Sequence, residues 1–338
     1  MVQKRLGKQT VTLENPPSII STATIVGPKE GDGPLKDYFD LVLADDLWGE
    51  DSWEKAEAKL QQEAVNLALK NAKLVPSQVD YLFAGDLLNQ IVSSSYAARQ
   101  LKIPFFGLYG ACSTKTESLS LGAMAIDGGF ADTVVCVTSS HFSAAERQFR
   151  FPLEHGNQRP PTAQWTVTGA GASVLSSNGN GPYITHLTTG RIIDPGISNA
   201  NNMGPAMAPA AADTIIQHFK DTGFKPEDYD MIITGDLATV GKEIAEELIV
   251  KEGYDVSKVF MDCGIEIFDA ERQDTHAGGS GCGCSAVVFA GYLYKALKAG
   301  KLKRIMLVST GALLSPTIIQ QGESIPGIAH AVTISNVR

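Results

Sequence analysis

Cys112 is the residue of this sequence whose position is most typical of covalent chemistry. It follows the apolar run Phe105–Tyr109, which has the composition of a strand, and it precedes a helical pattern that begins near Thr114. At such a junction, backbone N–H groups and the positive end of the helix dipole lower the pKa of a thiol, as a nucleophilic cysteine requires. The alternative is a cysteine that only packs in the core, as we expect of Cys136 in the middle of a strand.

Two further side chains could serve the same pocket. Asp236 ends the buried run Ile232–Gly235, although a turn residue at a strand end is an equally good interpretation. His276 precedes the glycine-rich run Gly278–Gly283. That run lacks the Lys-Ser/Thr ending of a phosphate-binding P-loop and the spacing of a dinucleotide fingerprint, so tight backbone packing beside Cys112 explains it better.

The elements that position these residues come in two copies. The segment Val79–Leu87 reappears without a gap as Tyr229–Leu237, and both copies end in Gly-Asp-Leu, so that Asp86 matches Asp236. Helical patterns precede both copies, at 53–73 and 208–222.

A second pair of strands keeps the same order. The run 129–139 has the pattern of 300–310, and each follows an Ala/Gly-rich helical segment. Helices that alternate with short apolar strands predict mostly parallel sheets covered on both faces. Two such halves give a layered α/β/α/β/α body.

We place the boundary between the halves in the turn-forming run Ser176–Gly181. The first half is then 1–178, with an insert at about 141–165 that covers the pocket, and the second half is 179–338.

Composition excludes several classes of function. The net charge of -9 and the pI near 5.2 disfavour nucleic acid and direct docking to anionic lipid. No apolar run is long enough for a secretory signal or a membrane span. The five cysteines form no paired framework, which fits a reducing compartment, and a zinc site is weakly indicated at best. The residues that could form it are Cys263, His276, Cys282 and Cys284. We expect no cofactor and no metal.

Three motifs carry a resemblance to a known superfamily. Ala111-Cys112-Ser113 resembles the nucleophile motif of thiolases and ketoacyl synthases, 166–175 resembles their Gly-Ala-Gly strand, and 274–280 resembles their late His/Asn-glycine loop. The resemblance covers nearly the whole chain. It implies the five-layered α/β/α/β/α thiolase-like fold made of two duplicated halves, and a homodimer paired through Phe105–Tyr109.

The catalytic set of that superfamily is incomplete here. Alignment with the synthases puts Asp236 where their His stands and Gly278 where their Asn stands. An ionised Asp236 would raise the pKa of the thiol and is an acceptor where a donor is wanted, and Gly278 offers no side chain. A second register, that of the degradative thiolases, restores His276 but lacks their further cysteine in the turn at 309–313. Cys112 and His276 are therefore vestigial candidates, and an acyltransferase or condensing enzyme remains the alternative to a non-enzymatic ligand binder.

Within the superfamily the sequence most resembles the stage V sporulation AD family of spore-forming bacilli. That resemblance implies binding of dipicolinic acid, with or without calcium. It also implies channel-assembly partners and a peripheral place on the spore inner membrane in sporulation and germination.

A dicarboxylate needs donors, which helix starts, lysine and arginine supply. Calcium would let a carboxylate such as Asp236 take part instead. Arg159 closes the arginine-rich insert, and any one of its arginines could equally be a solvated loop residue. The predicted ligand-binding residues are Cys112, Ser113, Lys115, Arg147, Arg150, Asp236, His276 and Gly278.

Overall fold

A computed structural model describes residues 4–149 and 159–338. The elements before the turn at 176–181 are β1 (Thr10–Thr12), β2 (Ser18–Val26), β3 (Leu41–Val42), α1 (Trp53–Ala72), β4 (Tyr81–Gly85), α2 (Val92–Leu101), β5 (Phe105–Gly107), α3 (Thr114–Asp127), β6 (Thr133–Ser140), α4 (Phe142–Phe149), β7 (Gln164–Thr166) and β8 (Gly169–Ser176).

The elements after that turn are β9 (Tyr183–Thr188), α5 (Met203–Thr222), β10 (Met231–Thr234), α6 (Ala238–Lys251), β11 (Phe260–Asp262), α7 (Cys263–Glu266), β12 (Gly278–Ser280), α8 (Cys282–Val288), α9 (Tyr294–Lys298), β13 (Arg304–Ala312), α10 (Pro316–Gln320) and β14 (Gly327–Ser335). A π-helical turn, Phe289–Leu293, joins α8 to α9.

Strand order repeats between the halves. The hydrogen-bonded path runs β11-β10-β13-β14-β9-β2-β8-β6-β4-β5, with β1 beside β9, β3 beside β2, and β7 and β12 as a separate pair. Read outward from the β2–β9 seam, each half has the same arrangement. That seam is a single residue pair, Ser18 with Tyr183.

The sheets are mixed, so the expectation of mostly parallel sheets was wrong. Within the first half, β4 pairs in parallel with β5 and β6, whereas β8 runs antiparallel to β6 and β2. The second half repeats this pattern. The reason lies in the connections: α4 contacts β7 and α1 instead of crossing the sheet, and α10 has only five residues, so in both halves the chain returns in the opposite direction.

Helices form the outer and central layers. α1 covers β2, β6 and β8 from outside, while α5 covers β13 and β14. α3 contacts strands of both halves and packs on α8, which makes these two helices the central layer of an α/β/α/β/α body. α3 can occupy that position because ten of its fourteen residues, polar ones included, are buried.

The ends of α1 are fixed by local chemistry. The Ser52 side chain accepts a hydrogen bond from the backbone of Lys55, and Lys73 closes the helix in the left-handed conformation. Its apolar face, Leu60 to Leu69, is buried on the sheet. Across the described residues, no helix is long and apolar enough to cross a bilayer.

Candidate functional site

The carboxyl ends of parallel strands from both halves meet around Cys112. β4 leads to Leu87, β5 leads to Cys112, and β10 leads to Asp236. In α/β sheets this edge is where ligands usually bind.

A tight turn sets the thiol at the start of α3. Ala111 lies in the left-handed region with φ 50°. The Ser113 hydroxyl donates to the Gly110 carbonyl at 2.7 Å, and the Thr114 hydroxyl donates to the Ala111 carbonyl at 2.7 Å. Gly311 of β13 packs so closely that a Cβ there would collide with the Gly110 carbonyl. The position of Cys112 therefore depends on both halves.

Asp236 is fully buried, and its carboxylate faces the Cys112 thiol. The carboxylate accepts from the Thr310 hydroxyl at 2.6 Å, the Gly281 backbone N–H at 3.0 Å and the Ser280 hydroxyl at 3.2 Å. The acceptor sites of the carboxylate are so engaged, and its charge opposes ionisation of the Cys112 thiol, so Asp236 is poorly suited to removing the thiol proton.

The pKa of Cys112 is raised well above its ordinary value, first by burial and then by the charge of Asp236. The expectation that the helix start lowers this pKa was therefore wrong. Desolvation and a facing carboxylate outweigh a helix dipole, which is worth about 1 kcal/mol or less at a typical exposed site.

A cavity of about 40 Å³ opens on Cys112. Its lining is mostly apolar and consists of Leu87, Tyr109, Ala111, Cys112, Ala145, Glu146, Phe149, Thr166, Met203, Ser280, Ala312 and Leu314. An outer chamber of about 430 Å³ adjoins it and shares Tyr109, Phe149 and Leu314 with it. The outer chamber has a size usual for small-molecule sites, whereas the inner cavity alone holds only a few waters.

Lys115 and Ser113 do not reach this cavity. The Lys115 amine is fully buried, donates to the Ser173 hydroxyl at 3.1 Å and lies 5.5 Å from the Phe289 ring centre. Ser113 is committed to the turn around Gly110. The structure thus places both outside the set that lines the pocket, against our expectation of ligand contacts.

His276 and Gly278 belong to a strained loop beside the site. His276 has φ 55°, and its Nε2 lies 3.4 Å from Oδ1 of Asp274, which is itself at φ 51°. Gly278 has φ 132° and packs against the Gly264 carbonyl, so the backbone there leaves no space for a side chain. Neither residue lines the cavity.

The arginines of the insert are engaged elsewhere. Arg147 pairs with Glu54, and Arg159 donates to the Asp274 carbonyl at 2.6 Å while its guanidinium covers Trp165. Arg150 lies outside the described residues.

Glu146 and Cys282 also belong to the site, although neither was among the predicted ligand-binding residues. Glu146 is buried at the cavity wall and accepts from the Thr166 hydroxyl at 3.0 Å. The Cys282 thiol donates to the Ser139 carbonyl at 2.9 Å and packs in one cluster with Cys112. The duplication contained the signal for Cys282, because α8 begins in the second half where α3 begins in the first. Glu146 was not predicted because the nearby arginines, Arg147 and Arg150, were expected to bind the ligand carboxylates.

No group of three or more metal-binding side chains converges within 4–149 or 159–338. The four residues considered for zinc are therefore not assembled into a site.

A model of the family described as Stage V sporulation protein AD matches residues 7–335. The chain belongs to this family. Stage V sporulation protein AD of Bacillus subtilis (strain 168) is 50% identical over 329 residues, which are 97% of each chain.

Two solved structures share the fold of this chain at much lower sequence identity. The 3-oxoacyl-[acyl-carrier-protein] synthase III of Aquifex aeolicus VF5 has a TM-score of 0.59 at 17% identity, covering 94% of this chain and 99% of that one. An OleA variant of Xanthomonas campestris has a TM-score of 0.63 at 15% identity, covering 96% and 99%. The expected thiolase-like fold is confirmed.

Proposed function

We propose that this protein binds dipicolinic acid or its calcium chelate in the thiolase-type pocket, without condensing activity. It would act in sporulation and germination as a peripheral partner of a channel assembly at the spore inner membrane. The observation that carries the proposal is the buried Asp236 carboxylate that faces Cys112, because its charge and the burial of the thiol raise the thiol pKa and keep the sulfur in its unreactive form. The ligand class is the one that the resemblance to the sporulation family implies.

The two chambers suit a small planar acid. Asn89, Gln90 and Gln148 bring amide groups to the outer chamber, and amide N–H groups can donate to a ligand carboxylate. Tyr109 and Phe149 stand where the two chambers meet and offer aromatic faces to a pyridine ring. If calcium enters with the ligand, carboxylate oxygens such as those of Glu146 are the ligands it prefers.

Isothermal titration with dipicolinate, with and without equimolar calcium, tests the proposal. Wild-type protein should give saturable heat at micromolar to millimolar ligand. Thr317→Trp fills part of the outer chamber and should reduce affinity at least about tenfold, because the ring then meets a side chain. Ala58→Leu, on the outer face of α1, is the matched control and should bind like wild type.

Absence of heat at millimolar ligand in the wild type would contradict the proposal. Benzene-1,3-dicarboxylate, which lacks the ring nitrogen, reports whether the chelating nitrogen matters. A stable mass increase after incubation with acetyl-CoA, lost in Cys112→Ala, would instead support the acyltransferase.

A homodimer is the second part of the proposal. β5 is an open sheet edge, and Phe106 on it is 52% exposed while stacked on Phe83 at 5.2 Å. Leu121 and Met124 of α3 add exposed apolar surface in the same half. The opposite edge, β11, differs, because its Phe260 is buried under Lys242. An aromatic open edge favours pairing with a second copy.

Phe106→Lys should shift the protein from dimer to monomer in sedimentation velocity, because it places two charges in the paired edge. Ile192→Lys, at an equally exposed apolar residue of the other half, should leave the mass unchanged. A wild-type protein that sediments as a monomer at micromolar concentration would refute this part.

A further inference from the structure

A second polar network lies behind the pocket, in the first half. Its five members are Glu57 and Gln61 of α1, Asp86 after β4, Ser94 of α2 and Ser139 of β6, and all are fully buried. Asp86 is the duplicate of Asp236. The network therefore surrounds Asp86 as the thiol site surrounds Asp236. Nothing in the proposed function uses it.

Hydrogen-bond donors and acceptors in this network can be assigned one by one. Gln61 Nε2 lies 3.0 Å from the Gly85 carbonyl, which can only accept, so the amide nitrogen is at that position. The same nitrogen lies 2.8 Å from the hydroxyl of Ser94 and 2.8 Å from that of Ser139, so its two protons are shared among three acceptors, and an amide nitrogen cannot accept a hydrogen bond in return. Those hydroxyls must therefore direct their own protons elsewhere.

Both hydroxyl protons go to carboxyl groups. Ser94 donates to Asp86 Oδ2 at 2.7 Å, and Ser139 donates to Glu57 Oε1 at 2.8 Å. Asp86 also accepts from the backbone N–H of Ser94 and of Leu88, each at 2.8 Å. Asp86 is thus surrounded by three donors and suits the ionised form.

Two acceptor atoms remain without a hydrogen-bond partner, namely Glu57 Oε2 and Gln61 Oε1. They belong to residues four apart on α1, so they lie on one face of the helix. Two buried oxygens with no donor are costly, and a proton on Glu57 Oε2 makes that atom a donor for which Gln61 Oε1 is an available acceptor.

The groups around Glu57 supply no positive charge that would stabilise a second carboxylate beside Asp86. Among the described residues, no lysine, arginine or histidine is hydrogen-bonded to any member of the network. Glu57 faces Asp86, the Ser93 hydroxyl, the Cys282 thiol and Glu54, and Glu54 is itself paired with Arg147. Two carboxyl groups in such a place cannot both be ionised.

We propose that Glu57 and Asp86 hold one proton between them, that it resides on Oε2 of Glu57 facing Gln61 Oε1, and that this neutral acid positions the rear wall of the pocket. The proton is taken up from solvent when the chain folds. Asp86 stays ionised and keeps its three donors.

The network reaches the pocket at two points. Asp86 fixes the backbone of Leu88, which lines the outer chamber, and so sets Leu87, which lines the inner one. The backbone carbonyl of Ser139 accepts a hydrogen bond from the Cys282 thiol, and Cys282 packs beside Cys112. Glu57 is therefore a positioning residue and touches no ligand.

The pH dependence follows from the direction of the shift. Burial, and then the charge of Asp86, raise the pKa of Glu57 well above its ordinary value. A raised pKa means that the folded state holds a proton that the unfolded chain loses above about pH 4.5. Stability contributed by this proton therefore falls as the pH rises toward the folded-state pKa.

Glu57→Gln mimics the neutral acid, since its amide can donate to Gln61 Oε1 and its oxygen can accept from Ser139. Urea unfolding of this variant and of wild type should be compared from pH 5 to 9. The ratio of their folding equilibrium constants should grow in favour of the variant by about tenfold per pH unit, until the folded-state pKa is passed. The infrared difference spectrum should show one protonated carboxyl group fewer in the variant.

Asp86→Asn is the matched variant at the partner acid. It should lower the unfolding midpoint at every pH, because its amide nitrogen would face either the Leu88 N–H or the two donors of Ser94. The assignment of the proton to Glu57 would be overturned if Asp86→Asn were as stable as wild type while Glu57→Gln were destabilised or unfolded. So would a ratio for Glu57→Gln that does not change with pH.

Discussion

Asp236→Asn should accelerate alkylation of Cys112 by iodoacetamide at pH 7.5 by about tenfold or more. In the wild type, burial and the carboxylate of Asp236 raise the pKa of the thiol, so the thiolate that reacts is scarce. Asparagine is isosteric, removes the negative charge and offers an N–H donor to the thiolate. Each unit by which the pKa falls increases the thiolate fraction tenfold.

Peptide mapping by mass spectrometry identifies which of the five cysteines has reacted. The matched control is the double variant Cys112→Ser with Asp236→Asn, in which the fast phase should be absent. Cys136, Cys263, Cys282 and Cys284 are buried and should stay slow in both proteins. An unchanged rate at Cys112 would mean that burial alone suppresses the thiol, and that Asp236 has another purpose.

The duplication made much of the fold predictable. The match of Asp86 with Asp236 placed two carboxyl groups at equivalent strand ends, and the structure puts one beside Cys112 and the other behind it. Strand order within each half follows from the same repeat. Strand direction does not, because a helix between two strands predicts a crossover only if it packs along the sheet, and α4 does not.

Residue contacts at the site were harder to predict than its location. The sequence placed Lys115 one turn after the nucleophile position, but helix geometry points residue 115 toward Ser173 and the central layer. Arg147 follows Glu146 directly, and the helix period sends one of them to the pocket wall and the other to Glu54. The residue types in the insert indicated that this segment lies at the pocket. Which of its residues line the pocket depends on the direction of each side chain, which the sequence does not show.

The close approach of the two halves also lay beyond sequence patterns. Gly311 is one glycine among 33, and only the contact with the Gly110 carbonyl shows why a side chain is excluded there. Gly110 and Gly311 are 201 positions apart, and the periodic patterns that predict helices and strands carry no information about contacts at such separations.

Lys115→Met should raise the free energy of unfolding at pH 7 by about 2–3 kcal/mol. Burial lowers the pKa of Lys115 from 10.5 to about 8, so at pH 7 the folded state keeps a charged amine in the core with Ser173 as its hydrogen-bond partner. The shift of about 2.5 pKa units corresponds to roughly 3 kcal/mol of lost solvation, an upper bound for the gain. Methionine has a similar length and carries no charge.

The advantage of the variant should depend on pH in a defined direction. Below about pH 8 the amine is charged in both states, so the whole cost is present in the wild type. Between about pH 8 and 10.5 the folded state has released the proton while the unfolded chain still binds it, so the wild type recovers stability and the two unfolding curves converge. Lys251→Met on the exposed face of α6 is the control and should change stability by less than about 0.5 kcal/mol. A less stable Lys115→Met at pH 7 would show that the buried amine makes a favourable contact, which would return Lys115 to the residues considered for ligand binding.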